Sequence, residues 1–302
     1  MNTFSLEPLP PFQLEFTVWA LRRRPDNAVD SWDGKVYRRV LALKDQLVEV
    51  AVTQLGPPDT PRLQVEIPGA RLTPAAKSTA VTALNRLLGL QIDLSEFYRL
   101  AAQNRRLRRL AERFRGLKPP RFPSLFEALV NAIVCQQITL TFGIQILNGL
   151  AENCGVAGNG SDLHAFPRPS DLAGAAPEKL KTLKLSRQKV RAITELSGAV
   201  VEGRLDLEGL SALDDEAATT RLRQLWGVGR WTAEYTLLRG LGRLHVFPGD
   251  DVGARNNLQR WLGLKTPLDY EDVHRVLAQW RPYAGFIYLH LLLNRLAETG
   301  MI

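Results

Sequence analysis

Two adjacent carboxylates, Asp250 and Asp251, follow a Pro-Gly turn and head a helical stretch, VGARNNLQRW. Some twenty residues earlier, LWGVGRW sets Gly227 and Gly229 around Val228, between two stretches of helical pattern. A carboxylate in such a place has two readings. It caps the helix, accepting a hydrogen bond from a first-turn amide. Or, in a site that excludes water, it stabilises positive charge and orients or deprotonates a water. One carboxylate can do both.

The segment LDDEAATTRLRQLWGVGRWTAEYTLLRG reads as helix, tight turn, helix, at about residues 215–240. Gly227 and Gly229 permit positive φ and close backbone approach, and Val228 anchors the turn inward. A second helix starting near Arg230 leaves amide groups without intrahelical partners. With the helix dipole they form an anion site suited to a phosphate, to which Arg230 and Thr232 add contacts. The plainer reading is an ordinary helix–helix connection closed by glycines.

From LWGVGRW through HVFPGDD the chain resembles the helix-hairpin-helix DNA glycosylase superfamily: hairpin, Gly/Pro-rich loop, aspartate. The resemblance is nearest to the bacterial 3-methyladenine DNA glycosylase II type. It extends over nearly the whole chain, most specifically over residues 225–255. It implies base excision repair of alkylated bases flipped out of double-stranded DNA. Asp251, rather than Asp250, takes the catalytic position, and Asp250 or Gly249 shapes the turn. Breaking an N-glycosidic bond builds oxocarbenium-like charge on the sugar, which a fixed anion stabilises. An alkylated purine leaves as a cation's neutral product, so one carboxylate suffices where glycoside hydrolases often use two. Members that also cut the strand carry a lysine nucleophile directly after the hairpin. Here that residue is Trp231, which implies a monofunctional enzyme.

The resemblance assigns further residues. Trp231 and Tyr235, four apart on one helix face, line an aromatic base pocket that holds a cationic base by stacking and cation–π attraction. Trp280 and Tyr283 are further lining residues, although aromatics at such positions also build cores. In NAIVCQQIT, Gln137 matches the residue that fills the gap left by the flipped base, flanked by Gln136; members of the type it resembles have an apolar side chain there. The plainer reading is a helix-end amide. Arg187 and Lys189, in KLSRQKVR, are phosphate contacts. Backbone carbonyls of Arg223, Leu225 and Val228 correspond to a site for a monovalent cation. No other cofactor is expected.

These residues need a frame. The chain has 302 residues, 45% of them hydrophobic, enough for two domains. Its net charge of +8 favours an anionic partner, nucleic acid first, over a basic enzyme without one. Two cysteines, Cys135 and Cys154, and four scattered histidines give no disulfide framework, zinc spacing or iron–sulfur cluster. The first residues, MNTFSLEPLPPFQLEF, lack the pattern of a signal peptide. A monomer in the bacterial cytoplasm, at the nucleoid and without a membrane partner, is expected.

Alternation in FQLEFTVWAL, KVYRRVLALK, QLVEVAVTQL and RLQVEIPG predicts four strands, with turns at DSWDGK and LGPPDTP. A helix follows, capped by Thr73 with Pro74 in its first turn. These make an N-terminal domain of about residues 1–95. Residues 96–302 are overwhelmingly helical. Ser124 is a cap with Glu127 completing a capping box, and Ser186 caps a later helix. The run NRRLRRLAERFR reads as a solvated face with Leu107, Leu110 and Phe114 turned inward. The fold class is mainly α, α+β overall: a small antiparallel sheet followed by a two-lobed helical core. Two rival functions stand: a glycosylase for deaminated or oxidised bases, and a non-catalytic DNA-binding or damage-recognition module built on the same hairpin.

Overall fold

The computed structural model describes residues 2–43, 46–68, 73–158 and 161–302. The ends of two expected strands, Lys44 and Gly69, and part of a loop, 159–160, lie outside the described residues. Strands β1 (Asn2–Leu6), β2 (Ser31–Trp32), β3 (Val36–Leu43), β4 (Gln46–Gln54) and β5 (Leu63–Ile67) form one antiparallel sheet in the order β1-β5-β4-β3-β2. Period-2 alternation puts Val48, Val50, Val52, Leu63, Val65 and Ile67 on one buried face. The Asp33 carboxylate accepts the amides of Lys35 and Val36, closing the turn between β2 and β3.

Three of the four expected strands form. FQLEFTVWAL does not: it is helix α1, Leu14–Arg22. Leu14, Val18 and Leu21 follow helical spacing and join the sheet's core, while Trp19 and Ala20 join a second core on the other side. A helix buried on both sides loses the polar stripe that would mark its period, and its aromatic and β-branched residues then read as strand. Two strands, β1 and β2, went unread; β2 is only two residues long.

Helix α2 (Pro74–Leu88) covers the sheet with Leu84, Leu87 and Leu88. The remaining helices pack as two lobes. The first is built on α5 (Leu125–Cys135), with α6 (Leu140–Cys154), α7 (Pro169–Ala173), α8 (Pro177–Thr182), α9 (Arg187–Val201), α10 (Asp215–Arg223) and α11 (Arg230–Thr236) around it. The second joins α1 to α3 (Ser95–Ala102), α4 (Arg105–Arg113), α12 (Val252–Leu262), α13 (Tyr270–Leu277) and α14 (Ala284–Glu298). Beyond α2 the described residues hold no strand, only an isolated bridge between Ala157 and His164. The basic run is α4, and Leu107, Leu110 and Phe114 are buried as expected. Asn104, whose side chain accepts the amides of Arg106 and Leu107, starts it as a separate helix.

The sheet is tied to the first lobe through charge as well as apolar packing. Arg39, 1% exposed, donates to Asp30 at 2.6 Å and to Glu127 at 2.5 Å, and Tyr37 donates to Asp30 at 2.7 Å. Ser124 caps α5 by accepting the Glu127 amide, but the expected capping box is only half made. The Glu127 carboxylate is spent on a guanidinium 88 residues away, because a buried cation left unpaired costs far more than an unsatisfied helix-start amide.

Candidate active site

A cleft of about 1140 Å³ opens between the lobes. One wall is the hairpin. Gly227, at φ +78, closes the turn after α10, and a Cβ there would meet the Ala192 methyl at 2.9 Å. Gly229 has extended backbone instead, so it is not there for positive φ; a Cβ on it would meet nothing, so the turn's outer face is open. Val228 is buried in the first lobe's core. Among the described residues no carbonyl takes the amides of Gly229, Arg230, Trp231 and Thr232. At Gly229 and Arg230, which are exposed, the hairpin therefore presents bare N–H groups on an uncovered surface, the arrangement a phosphate needs.

The side chains expected on DNA divide into two groups. Gln136 donates to the Gly227 carbonyl and the Thr232 hydroxyl, both at 2.8 Å. Thr232 is 1% exposed, so both residues brace the hairpin. Lys189 donates to the carbonyls of Val134 and Gln136 at 2.8 and 2.7 Å, closing the end of α5. Burial lowers the pKa of its ammonium. Arg187 is exposed beside Ser186, which caps α9 by accepting the Lys189 amide. Gln137 is exposed at the cleft with φ +55. Holding a non-glycine residue there costs about 1 kcal/mol, which sets it apart from its neighbours.

Asp251 joins the two readings of its carboxylate. One oxygen, Oδ1, accepts the Ala254 amide at 2.8 Å and caps α12. The other, Oδ2, accepts the Tyr288 hydroxyl at 3.0 Å and, at 3.4 Å, the Trp231 indole N–H. Asp250 is committed elsewhere, in a two-point ion pair with Arg230 at 2.6 and 3.0 Å. Arg230 lies 3.6 Å over the Tyr270 ring. Glu234, one turn further along α11, accepts the Gly249 amide at 3.1 Å and the Tyr270 hydroxyl at 2.5 Å. Burial raises the pKa of its carboxyl. A Cβ on Gly249 would meet the Tyr270 ring at 2.7 Å, so only glycine fits. The loop that carries Asp251 is thus clamped to the hairpin's second helix at two successive residues.

Trp231 and Tyr235 face the cleft with ring centroids 5.4 Å apart and planes 30° from parallel. Trp280 and Tyr283 are not among its lining. Trp280 is buried against Trp261, and Tyr283 packs edge-on against Phe97, both in the second lobe's core. The third cleft aromatic is Tyr288, whose hydroxyl pKa is pushed far up by burial and by Asp251. Sequence reading missed it, although Tyr288, Leu292, Arg295 and Leu296 share one face of α14 at helical spacing and all line the cleft. It also missed Arg23 and Arg239. Arg23 ends α1 at φ +62 and donates to the Tyr235 oxygen at 3.0 Å and to Asn131 at 2.8 Å. Arg239 lies in a π-helical turn, Leu237–Leu241, that continues α11. No local pattern marks either arginine.

Residues 130–282, which carry the second half of α5, the hairpin and the Asp251 loop, match the HhH-GPD superfamily of base excision DNA repair proteins, and the chain belongs to that family. Its similarity to particular members runs further. It is 29% identical over 290 residues to DNA-3-methyladenine glycosylase 2 of Escherichia coli (strain K12), across 95% of this chain and 96% of that protein. It is 27% identical over 213 residues to the DNA-3-methyladenine glycosylase of Bacillus subtilis (strain 168), across 70% of each. Among solved structures, the 3-methyladenine DNA-glycosylase from Archaeoglobus fulgidus superposes with a TM-score of 0.84 at 26% identity, covering 96% of this chain and 97% of that one.

Proposed function

We propose that this protein is a monofunctional DNA glycosylase that hydrolyses the N-glycosidic bond of alkylated bases in duplex DNA, 3-methyladenine first, and leaves an abasic site. The observation that carries this reading is Asp251. It lines a cleft together with Trp231, Tyr235 and Tyr288; Oδ2 accepts the Tyr288 hydroxyl, while Oδ1 fixes the side chain by capping α12. A nucleotide turned out of the duplex, with its base against these rings, brings its sugar toward that oxygen. The C1′–N bond breaks, the carboxylate stabilises the sugar's positive charge, and a water adds at C1′. The hydroxyl and indole donors on Oδ2 keep the group aimed.

Absence of strand cleavage is supported by Trp231 in the position that carries a lysine in strand-cutting relatives, and by the cleft lining, which includes no lysine among the described residues. The hairpin amides, Arg187 and the net charge of +8 fit gripping of the DNA backbone, with Gln137 standing in for the extruded base. A monovalent cation on the carbonyls of Arg223, Leu225 and Val228 belongs to the same reading; three neutral oxygens suit it, and the Leu225 carbonyl already accepts the Val228 amide at 3.1 Å.

The test is to incubate the purified protein with duplexes carrying single lesions and to measure free base and abasic sites. Release of a methylated purine without strand breaks is expected. No release from any lesion, or a covalent imine trapped by borohydride, would overturn the reading.

A further inference from the structure

The hairpin turn holds one large apolar side chain that the core does not use. Its neighbours Leu225 and Val228 pack against the first lobe, but Trp226 is 48% exposed, the one exposed tryptophan among the described residues. It stands directly before Gly227 and three residues before Gly229, whose amide is bare. Tryptophan and arginine are the residue types most enriched where a surface anchors a partner, and here the two meet.

The Arg191 guanidinium lies 3.7 Å from the centroid of the Trp226 ring, a stacked cation–π contact. Helix α9 carries Arg191 and runs against the turn, so that a Cβ on Gly227 would meet the methyl of Ala192. Glu195, one turn further along, accepts from the Nε of Arg191 at 2.6 Å. Ring and carboxylate together fix the plane of the guanidinium, and its two terminal nitrogens have no partner among the described residues. Four residues earlier, on the same helix face, Arg187 is also exposed. Lys189, between them, is turned to two carbonyls. The exposed cations of α9 therefore lead up to the hairpin and stop there, since the next residue on that face is the acidic Glu195.

We infer that Arg191 and Trp226 form a second contact on the DNA backbone, beside the hairpin amides. The inference rests on the DNA-binding part of the proposed function. The two terminal nitrogens of Arg191 take a neighbouring phosphate of the strand held by the hairpin, as a preset guanidinium fork takes an oxyanion. The exposed part of the indole packs against the deoxyribose that follows. A polymer that alternates anionic phosphate with apolar sugar matches a surface that alternates cation and ring. A second copy of this chain, itself at net charge +8, would bring like charge to the same place.

The experiment measures fluorescence anisotropy of a labelled duplex, undamaged or carrying one lesion, across a range of salt. It compares the wild type with Arg191→Gln, Trp226→Ala and Trp226→Phe, with circular dichroism to confirm the fold. Arg204→Gln is the control, losing one exposed charge beyond the end of α9. Arg191→Gln should weaken binding to both duplexes by the same factor, because a phosphate contact carries no sequence information. Its slope of log K against log salt should flatten by about 0.9. Trp226→Ala should weaken binding about fivefold, and Trp226→Phe, which keeps a ring beneath the guanidinium, should restore most of that loss. A wild-type slope in Arg191→Gln, an equal flattening in Arg204→Gln, or wild-type affinity in Trp226→Ala overturns the inference and leaves the hairpin grip standing. So does a wild-type dimer, seen by light scattering, that Trp226→Ala dissolves. A wild type whose duplex binding does not weaken with salt sinks the inference and the DNA-binding reading together.

Discussion

Asp251 is asked to cap a helix with one oxygen and to meet a cation with the other, and two substitutions separate these tasks. Asp251→Asn keeps an oxygen for the Ala254 amide, which it accepts at 2.8 Å, and removes only the charge. Tyr288 can turn its hydroxyl to suit the new amide, and the bond from Trp231 is already long at 3.4 Å. Asp251→Ala removes charge and cap together. A unit charge about 4 Å from a carboxylate at an effective dielectric of about 20 gains about 4 kcal/mol. At about 1.4 kcal/mol per tenfold, its loss slows release about a thousandfold. A lost cap costs about 1 kcal/mol, which in a chain of this length lowers the melting midpoint by about 2 °C. Both variants should therefore lose activity alike in single-turnover assays, while only the alanine variant melts earlier. Lesion-duplex binding should persist in both. Asp251→Asn retaining activity within about tenfold of the wild type would refute the electrostatic reasoning. An equal fall in melting midpoint for both would refute the division of labour between the two oxygens.

The clamp predicts that Glu234→Ala slows release about tenfold by freeing the loop at Gly249, with little change in the KM for DNA, and that Glu234→Gln, which keeps an acceptor, restores most of the rate; steady-state kinetics on one lesion checks both. Gln137→Gly relieves about 1 kcal/mol of left-handed strain at φ +55 and loses a similar amount to chain entropy. Its melting midpoint should therefore move by less than about 3 °C, while base release falls for want of a side chain to hold the duplex open. Burial pushes the His290 imidazole down to about 4, so between pH 6.5 and 4 the unfolded chain binds the extra proton. Stability is then complete above pH 6.5 and falls by about 3 kcal/mol as the pH drops to 4; urea titrations across that window should show a smaller loss in His290→Leu.

What could be read from the sequence was what local chemistry writes locally. Hairpin, loop and aspartate lie between residues 215 and 251, and glycines, caps and spacing mark each of them. Three strands, the capping serines and the inward face of α4 follow from periodicity over single elements. Apart from the unread strands β1 and β2, the failures have one cause, which is burial by something distant. The strand signal at residues 12–21 is a helix because two cores claim its two sides. Glu127 abandons its capping box for Arg39. Trp280 turns into the second lobe, and Tyr288, eight residues on, takes the cleft. The guanidinium behind Tyr235 arrives from 212 residues away. No window along the chain contains that pairing, because it exists only once both ends have docked.

That last contact bears on when, during folding, the protein becomes able to act. The hairpin is local and needs few long loops closed before its amides can meet a phosphate. The cleft needs α1 from one end of the chain and α14 from the other, and contacts of such separation form late. On the proposed glycosylase reading, a chain still folding would touch DNA before it has anywhere to put a base. The topology works as a timing device, in which grip precedes bite and bond breaking waits for the finished molecule.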